Sequence, residues 1–107
     1  MQRKLQLAHQ SLKRIIKDVE VAYKEKDVEV ARLEKMTNEN QDNFRMNQQR
    51  TVVAQAVQSI GDYKNMLGKA IEKLEQTMKE AKDDVTIPQS EFTIANEVIA
   101  NAKKALE

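Results

Sequence analysis

Residues 46–81, MNQQRTVVAQAVQSIGDYKNMLGKAIEKLEQTMKEA, decide the fold, because an apolar residue recurs in them at every seventh position. The series is Met46, Val53, Ile60, Leu67, Leu74 and Ala81, with Val57, Ile71, Met78 and Val85 beside it. A seven-residue apolar repeat is typical of long helices that pair with a left-handed twist. It predicts a helix over 44–83 that continues through Gly61 and Gly68. The repeat leaves open whether this helix bends near Gly61.

Helical patterns flank this segment on both sides. Upstream, apolar residues spaced by three and four predict a helix over 2–39: Leu5, Ala8, Leu12, Ile15, Ile16, Val19, Ala22, Tyr23, Val30, Leu33 and Met36. Lys26 and Glu29 interrupt this series, so either their aliphatic stems lie along the groove or the helices splay there. Downstream, the same spacing predicts a shorter helix over 88–106: Phe92, Ala95, Ile99, Ala102 and Leu106.

Turn-forming residues separate the three helical segments. The stretch TNENQDN, residues 37–43, is rich in Asn and Asp, whose side chains compete for backbone hydrogen bonds and favour turns. Three of its residues could cap the second helix: Asn40, Asp42 and Asn43. Near the second turn, Thr86 and Gln89 have the spacing of a capping box, and Pro88 suits a first helical turn.

Short connections make neighbouring helices antiparallel, and this constraint leads to one architecture. We expect a single all-α domain over residues 1–107, an elongated antiparallel three-helix bundle with coiled-coil-like packing and a shorter third helix. Helices near 40 residues would each be roughly 60 Å long. The rod should therefore be three helices thick at one end and two at the other, where an apolar strip stays open. The oligomeric state, monomer or dimer, is left open.

Composition limits the classes of function. Eighteen basic and seventeen acidic residues leave a net charge of +1, so no strong field attracts nucleic acid or an anionic membrane. The absence of cysteine excludes disulfides and thiolate metal sites. No segment approaches the roughly 20 apolar residues of a membrane span, and the N-terminus lacks a signal-peptide pattern. We expect a soluble cytoplasmic protein without nucleic-acid or membrane partners.

Residues that could support catalysis or bind metal are few. His9 is the only histidine, and we expect it at an exposed or edge position rather than in a metal site. A nucleophilic serine would have only this imidazole as its base. The acidic groups around Asp42 and at Asp83–Asp84 lack the spacing of a calcium loop. We predict no enzyme activity, no metal or other cofactor, and no small-molecule substrate.

Two clusters of polar residues, one basic and one of glutamines, each allow two interpretations. Lys13, Arg14 and Lys17 form the only local basic cluster, which is either a solvated face or a docking surface for an acidic protein. Four glutamines near the start of the second helix are either plain helix formers or part of a polar binding face: Gln48, Gln49, Gln55 and Gln58.

Residues 11–36, SLKRIIKDVEVAYKEKDVEVARLEKM, resemble the first helix of the tubulin-binding cofactor A family. The matching elements are Lys13-Arg14, Ile15-Ile16, Lys17, Tyr23 and Leu33-Glu34-Lys35-Met36. The resemblance continues without gaps to about residue 80, through Asn43-Phe44, Gln49, Ile60-Gly61-Asp62 and the Leu67, Ile71, Leu74 series. The chain departs from the family pattern at Asn47-Gln48, where members tend to have basic residues, and at Gly61, where proline is frequent.

This resemblance implies a three-helix rod that binds β-tubulin after chaperonin release and holds it for assembly of the tubulin heterodimer. It implies no nucleotide and no catalysis, an association with the cytoskeleton, and a role beside other tubulin-folding cofactors, which are further candidate partners. The contact residues it suggests are Lys13, Arg14, Lys17, Tyr23, Lys24, Glu34, Lys35, Phe44, Gln49 and Asp62. The alternative is a generic three-helix interaction or co-chaperone module with a different protein partner.

Overall fold

Three α-helices make up 87% of the chain in the computed structural model, which describes residues 1–107. Helix α1 spans Gln2–Asn38, α2 spans Asn43–Ala81 and α3 spans Gln89–Ala105. The molecule measures 66 × 20 × 17 Å, so it is a rod about as long as its two long helices. The elongated three-helix fold with a short third helix, predicted from apolar periodicity, is confirmed.

Side-chain contacts near the ends of the helices establish their directions. The Lys4 ammonium of α1 lies 3.1 Å from the Glu80 carboxylate of α2, so the start of α1 is beside the end of α2. The Gln6 amide of α1 donates to the Glu91 carboxylate of α3 at 3.3 Å, so α1 and α3 start at the same end. Because α3 has only 17 residues, it covers one part of the α1–α2 pair. It packs mainly against α1.

The hydrophobic core lies in the three-helix end of the rod. One cluster contains Leu5, Leu12, Val19, Leu67, Ile71, Leu74, Ala81, Ile87, Ala95, Val98, Ile99 and Ala102. Outside this cluster, Ala22 and Ile60 are the only buried apolar residues. All of these side chains are aliphatic, so the core is closed by close packing of alanine, valine and isoleucine of α3 against the long helices, which contribute mostly leucine. The two-helix end has no comparable interior.

Burial along α2 follows the predicted heptad series where α3 is present. Ile60, Leu67, Leu74 and Ala81 are buried, and Met46 and Val53 are half-buried. Ile71 and Met78 of the neighbouring row pack into or against the core. Val57 belongs to that row by its spacing but is 51% exposed, because α3 does not extend over it. Val85 is 97% exposed in the turn after α2. The prediction that Val57 and Val85 pack beside the heptad series was therefore wrong.

Polar side chains hold α1 and α2 together in the two-helix end. The buried Gln49 amide of α2 donates to the Glu29 carboxylate at 2.7 Å and to the Glu29 carbonyl at 2.9 Å. Within α1, the Lys26 ammonium lies 3.0 Å from Asp27 and 5.8 Å above the Tyr23 ring. The helices do not splay at the interrupted positions: Lys26 and Glu29 are half-buried, and Glu29 accepts two hydrogen bonds from Gln49 of α2.

The first connection uses one of the three predicted caps. The Asp42 carboxylate accepts a hydrogen bond from the Arg45 backbone N–H at 2.9 Å, which satisfies one of the free donors at the start of α2. Asn40 adopts a φ of 54°, and asparagine is among the few residues that tolerate this left-handed conformation. These two residues reverse the chain between α1 and α2.

The second connection differs from the predicted capping box. Pro88 precedes the first residue of α3, which begins without a side-chain cap. The Thr86 hydroxyl and backbone N–H instead donate to the Asp84 carboxylate, and these two bonds, the hydroxyl first, hold the pKa of Asp84 below its ordinary value. Ile87 is buried and anchors the turn to the core. The capping-box expectation was therefore wrong, because Thr86 faces back into its own turn.

We expect Leu67→Ala to destabilise the fold by about 2–5 kcal/mol, because the side chain is fully buried and its removal leaves a cavity. Val57→Ala, in the same helix but half exposed, should change stability by less than about 0.5 kcal/mol. Denaturant unfolding followed by circular dichroism measures both changes. Equal losses for the two variants would contradict the assignment of the core to the three-helix end.

Candidate functional site

The contact residues suggested by the sequence are distributed over most of the rod. Lys13, Arg14, Lys17, Tyr23 and Lys24 share the first half of α1, whereas Glu34, Lys35, Phe44 and Gln49 lie at the two-helix end, with Asp62 in the middle of α2. Lys13 and Lys35 are separated by roughly 33 Å along α1 at 1.5 Å per residue. The structure therefore brings the predicted residues together as two groups rather than as one patch.

Two residues of the first group, Lys13 and Tyr23, line an open cleft between α1 and α3, beside the C-terminal end of α3. The cleft has a volume of about 500 Å³. Its apolar side chains are Ile16, Val19, Tyr23 and Ala105, and its polar ones are Lys13, Glu20, Asn101 and Lys104. Because apolar and polar residues line it in equal number, this α1–α3 cleft has the general composition of a protein-docking surface.

Positive charge at this cleft is not neutralised within the protein. Ion pairs occupy Lys4, Lys26, Arg32, Lys35 and Arg45 elsewhere on the rod. Lys13 and Lys104 at the cleft form no ion pair. The exposed residues Arg14, Lys17 and Lys24 on the same half of α1 form none either. The basic cluster found in the sequence is therefore exposed and unpaired beside a half-apolar cleft, which Glu20 also lines.

Tyr23 connects this cleft to α2. Its ring is half-buried, and the Lys64 ammonium of α2 lies 5.2 Å from the ring centroid, while the Lys26 ammonium of α1 lies 5.8 Å from it. Such cation–π contacts stabilise a folded chain by about 0.5–1 kcal/mol each at exposed sites. The ring therefore helps to hold α1 against α2 at the point where α3 ends.

Sequence reasoning missed Lys64, Asn101 and Lys104 as residues of this surface. Lys64 lies seven residues before Ile71 in a row that is otherwise apolar, and this charged residue at a packing position was a usable signal. Asn101 and Lys104 gave no such signal, because their position beside α1 depends on how α3 docks.

The residues of the second group do not share one surface feature. Phe44 is exposed at the start of α2, and Lys35 pairs with Glu39 at 3.9 Å. Glu34 borders a shallow hollow of about 330 Å³ near the end of α1. Gln49 is buried, and its amide is used in the two hydrogen bonds to Glu29 described above. Its observed role is to join the two long helices.

His9 is buried, and its expected exposed or edge position was wrong. It is only 7% exposed, because α3 packs over this part of α1. Its Nε2 lies 3.6 Å from a Glu91 carboxylate oxygen of α3, and neither ring nitrogen has a hydrogen-bond partner in the protein.

The structure contains no group of three His, Cys, Asp or Glu side chains arranged to hold a metal ion. None of its helices combines the length and the apolar character needed to cross a bilayer.

Comparison with known proteins gives consistent matches. The family model for tubulin binding cofactor A matches residues 1–99, further than the resemblance that ends near residue 80. A crystal structure of recombinant tubulin-binding cofactor A from Leishmania major is 25% identical, with a TM-score of 0.85 over 98% of this chain and 95% of that one. The crystal structure of tubulin folding cofactor A from Arabidopsis thaliana is 26% identical, with a TM-score of 0.86 over 96% and 95%. Curated proteins gave no match.

We expect Gln49→Ala to lower the free energy of unfolding by about 1–3 kcal/mol, because it leaves the largely buried Glu29 carboxylate without its donor. Gln48→Ala is the matched control, since Gln48 is exposed, and it should change stability by less than about 0.5 kcal/mol. Thermal and urea unfolding would show the difference. If both variants behave alike, Gln49 does not join the long helices.

Proposed function

The chain belongs to the tubulin-binding cofactor A family, and from this premise we propose that it captures β-tubulin folding intermediates after chaperonin release. It would hold them for later assembly of the tubulin heterodimer. Family membership and the related crystal structures support a role as a tubulin-folding cofactor in general. The choice of β-tubulin, and of its folding intermediates, is the proposal.

One observation carries the proposal: the family match over residues 1–99 includes nearly the whole rod. The related structures are also matched over 95% of their own chains, so the likeness involves the complete three-helix architecture. A generic helical module would share the helices and their packing. It would have no reason to match this one family along its length.

The rod is physically suited to binding and releasing a client without catalysis. Its helices are already ordered, so little conformational entropy is lost when a partner docks. Its exposed faces carry many charges, and such contacts contribute more to specificity and association rate than to affinity. A holding protein needs this balance, because its client must later leave. We place this activity in the cytoplasm, beside the cytoskeleton.

We assign the first contact with the client to the basic face of α1, Lys13, Arg14 and Lys17, which continues to Lys24. All four side chains are exposed and form no ion pair. Of the other residues suggested by the resemblance, Tyr23 lies beside this face. Glu34, Lys35, Phe44 and Asp62 remain predictions, as does Gln49, which is buried and hydrogen-bonded to Glu29.

The direct test is titration of the purified protein with β-tubulin and, in parallel, with a chaperone ATPase domain. We expect saturable β-tubulin binding at micromolar concentrations or below, and none to the ATPase domain. This comparison separates a tubulin cofactor from a co-chaperone of the same shape. No β-tubulin binding at micromolar concentrations would overturn the proposal.

Reversing the charge of Lys13, Arg14 and Lys17 together should weaken β-tubulin capture about tenfold, as expected for three exposed ion pairs. Because all three side chains are exposed, helicity and the melting temperature should stay nearly unchanged. Reversal of Lys69, Lys73 and Lys79, which are exposed on α2, is the control. If the two triple variants lose capture equally, the effect is one of net charge and the α1 face is not the contact.

A further inference from the structure

The end of α3 leaves an apolar surface with basic edges uncovered in the middle of the rod. We propose that this surface docks an amphipathic helix of the client, one whose apolar face is flanked by carboxylates, beside and beyond the C-terminal end of α3. We call it the step surface and define it by Lys13, Ile16, Tyr23, Lys64, Asn101 and Lys104. The inference rests on the proposed function and adds to it the kind of segment that is recognised.

The shape of the occupant follows from the groove that α3 fills. Met78 of α2 shares a hollow with Phe92 of α3, so the row of α2 residues at seven-residue spacing lies beside α3. Ile71 of this row is buried in the core next to α3. Continuing the row toward the two-helix end leads to Lys64 and then to Val57, which is half exposed. The groove that α3 occupies thus continues beyond the end of α3. Because α3 itself is a helix, another helix is the element expected to fit the continuation.

The apolar character of the occupant follows from the floor of the α1–α3 cleft. Ile16, Tyr23 and Ala105 are only half-buried in the isolated chain, although they lie next to the buried Val19. Covering them with apolar side chains removes this surface from water, which favours association. The cleft, of about 500 Å³, has space for several side chains of a docked helix.

The acidic character of the occupant follows from the edges. Lys13 and Lys104 border the cleft and Lys64 lies above Tyr23, and none of the three forms an ion pair. Glu20 is the only carboxylate lining the cleft. A partner with carboxylates beside its apolar face meets complementary charge here. A second copy of this chain docked through the same surface would bring these lysines toward their own equivalents, which disfavours self-association.

A crosslinking experiment locates the occupant directly. The chain has no cysteine, so Asn101→Cys creates a unique attachment point at the edge of the cleft for a benzophenone maleimide. Asn96→Cys is the matched control, because Asn96 is exposed on the same helix but lines the hollow beside Met78 instead. Each labelled full-length protein is loaded with β-tubulin and irradiated, and the crosslinked peptides are identified by mass spectrometry.

We expect the label at residue 101 to crosslink to a client segment with an acidic, amphipathic helical sequence, in at least tenfold excess over the label at residue 96. Equal crosslinking from both positions, crosslinks to segments without that pattern, or crosslinks to a second copy of this chain would each overturn the inference. If the unlabelled chain fails to capture β-tubulin at all, the proposed function and this inference fail together.

An affinity measurement on intact variants tests the charges independently. Reversing Lys13, Lys64 and Lys104 together should weaken β-tubulin capture about tenfold and reduce its dependence on salt concentration. The control is again the reversal of Lys69, Lys73 and Lys79. Lys104→Glu alone, at an exposed position, covers the case in which the triple variant loses helicity or the Lys64–Tyr23 contact between α1 and α2. Native capture with unchanged affinity in folded charge variants would overturn the docking inference and leave the proposed function standing.

Discussion

The burial of one aliphatic core between three helices is the interaction on which the rest of the rod depends. Leu5 and Leu12 of α1 and Leu67 and Leu74 of α2 are fully buried, and α3 contributes two alanines, a valine and an isoleucine to the same cluster. Without α3, this core would lose its third wall and be open to water. A chain with no tryptophan has little other apolar area to bury, so its stability is concentrated at one end.

The other end is held by different forces. Only Ala22 and Ile60 are buried apolar residues outside the main cluster. The hydrogen bonds from Gln49 to Glu29 and the cation–π contact between Tyr23 and Lys64 take the place of a core there. Hydrogen bonds and cation–π contacts contribute about 1 kcal/mol each, so this end should open more readily than the three-helix end. The step between the two ends is where the protein exposes both apolar and unpaired basic groups.

The relation between fold and binding follows from the length of α3. A third helix as long as the other two would cover the row that contains Lys64 and Val57 and leave no groove for a partner. Because α3 ends at Ala105, apolar surface remains uncovered beside free lysines. The same shortness that limits the stability of the rod thus provides its most partner-like surface.

Much of the candidate site could be found from the sequence, but only as groups of residues within single helices. The sequence did not show which residues of different helices form one surface. Lys13, Arg14 and Lys17 are neighbours in the chain, so their cluster was visible without a structure, and Tyr23 was suggested by family resemblance. Lys64 and Lys104 come from α2 and α3, and only packing brings them near Tyr23 and Lys13. Gln49 was grouped with surface residues because a polar side chain gives no sign of burial until its partner, Glu29, is known.

For the fold, periodicity was sufficient to predict three helices, their order and the unequal length of the third, because helix formation and the position of an apolar stripe are local properties. The packing of the helices against one another determined how much of each apolar stripe is buried. Val57 continues an apolar row and His9 looked like a surface residue, yet Val57 is exposed and His9 is buried. The physical reason is that burial depends on a partner helix from a distant part of the chain, and the position and length of α3 determine which residues receive one.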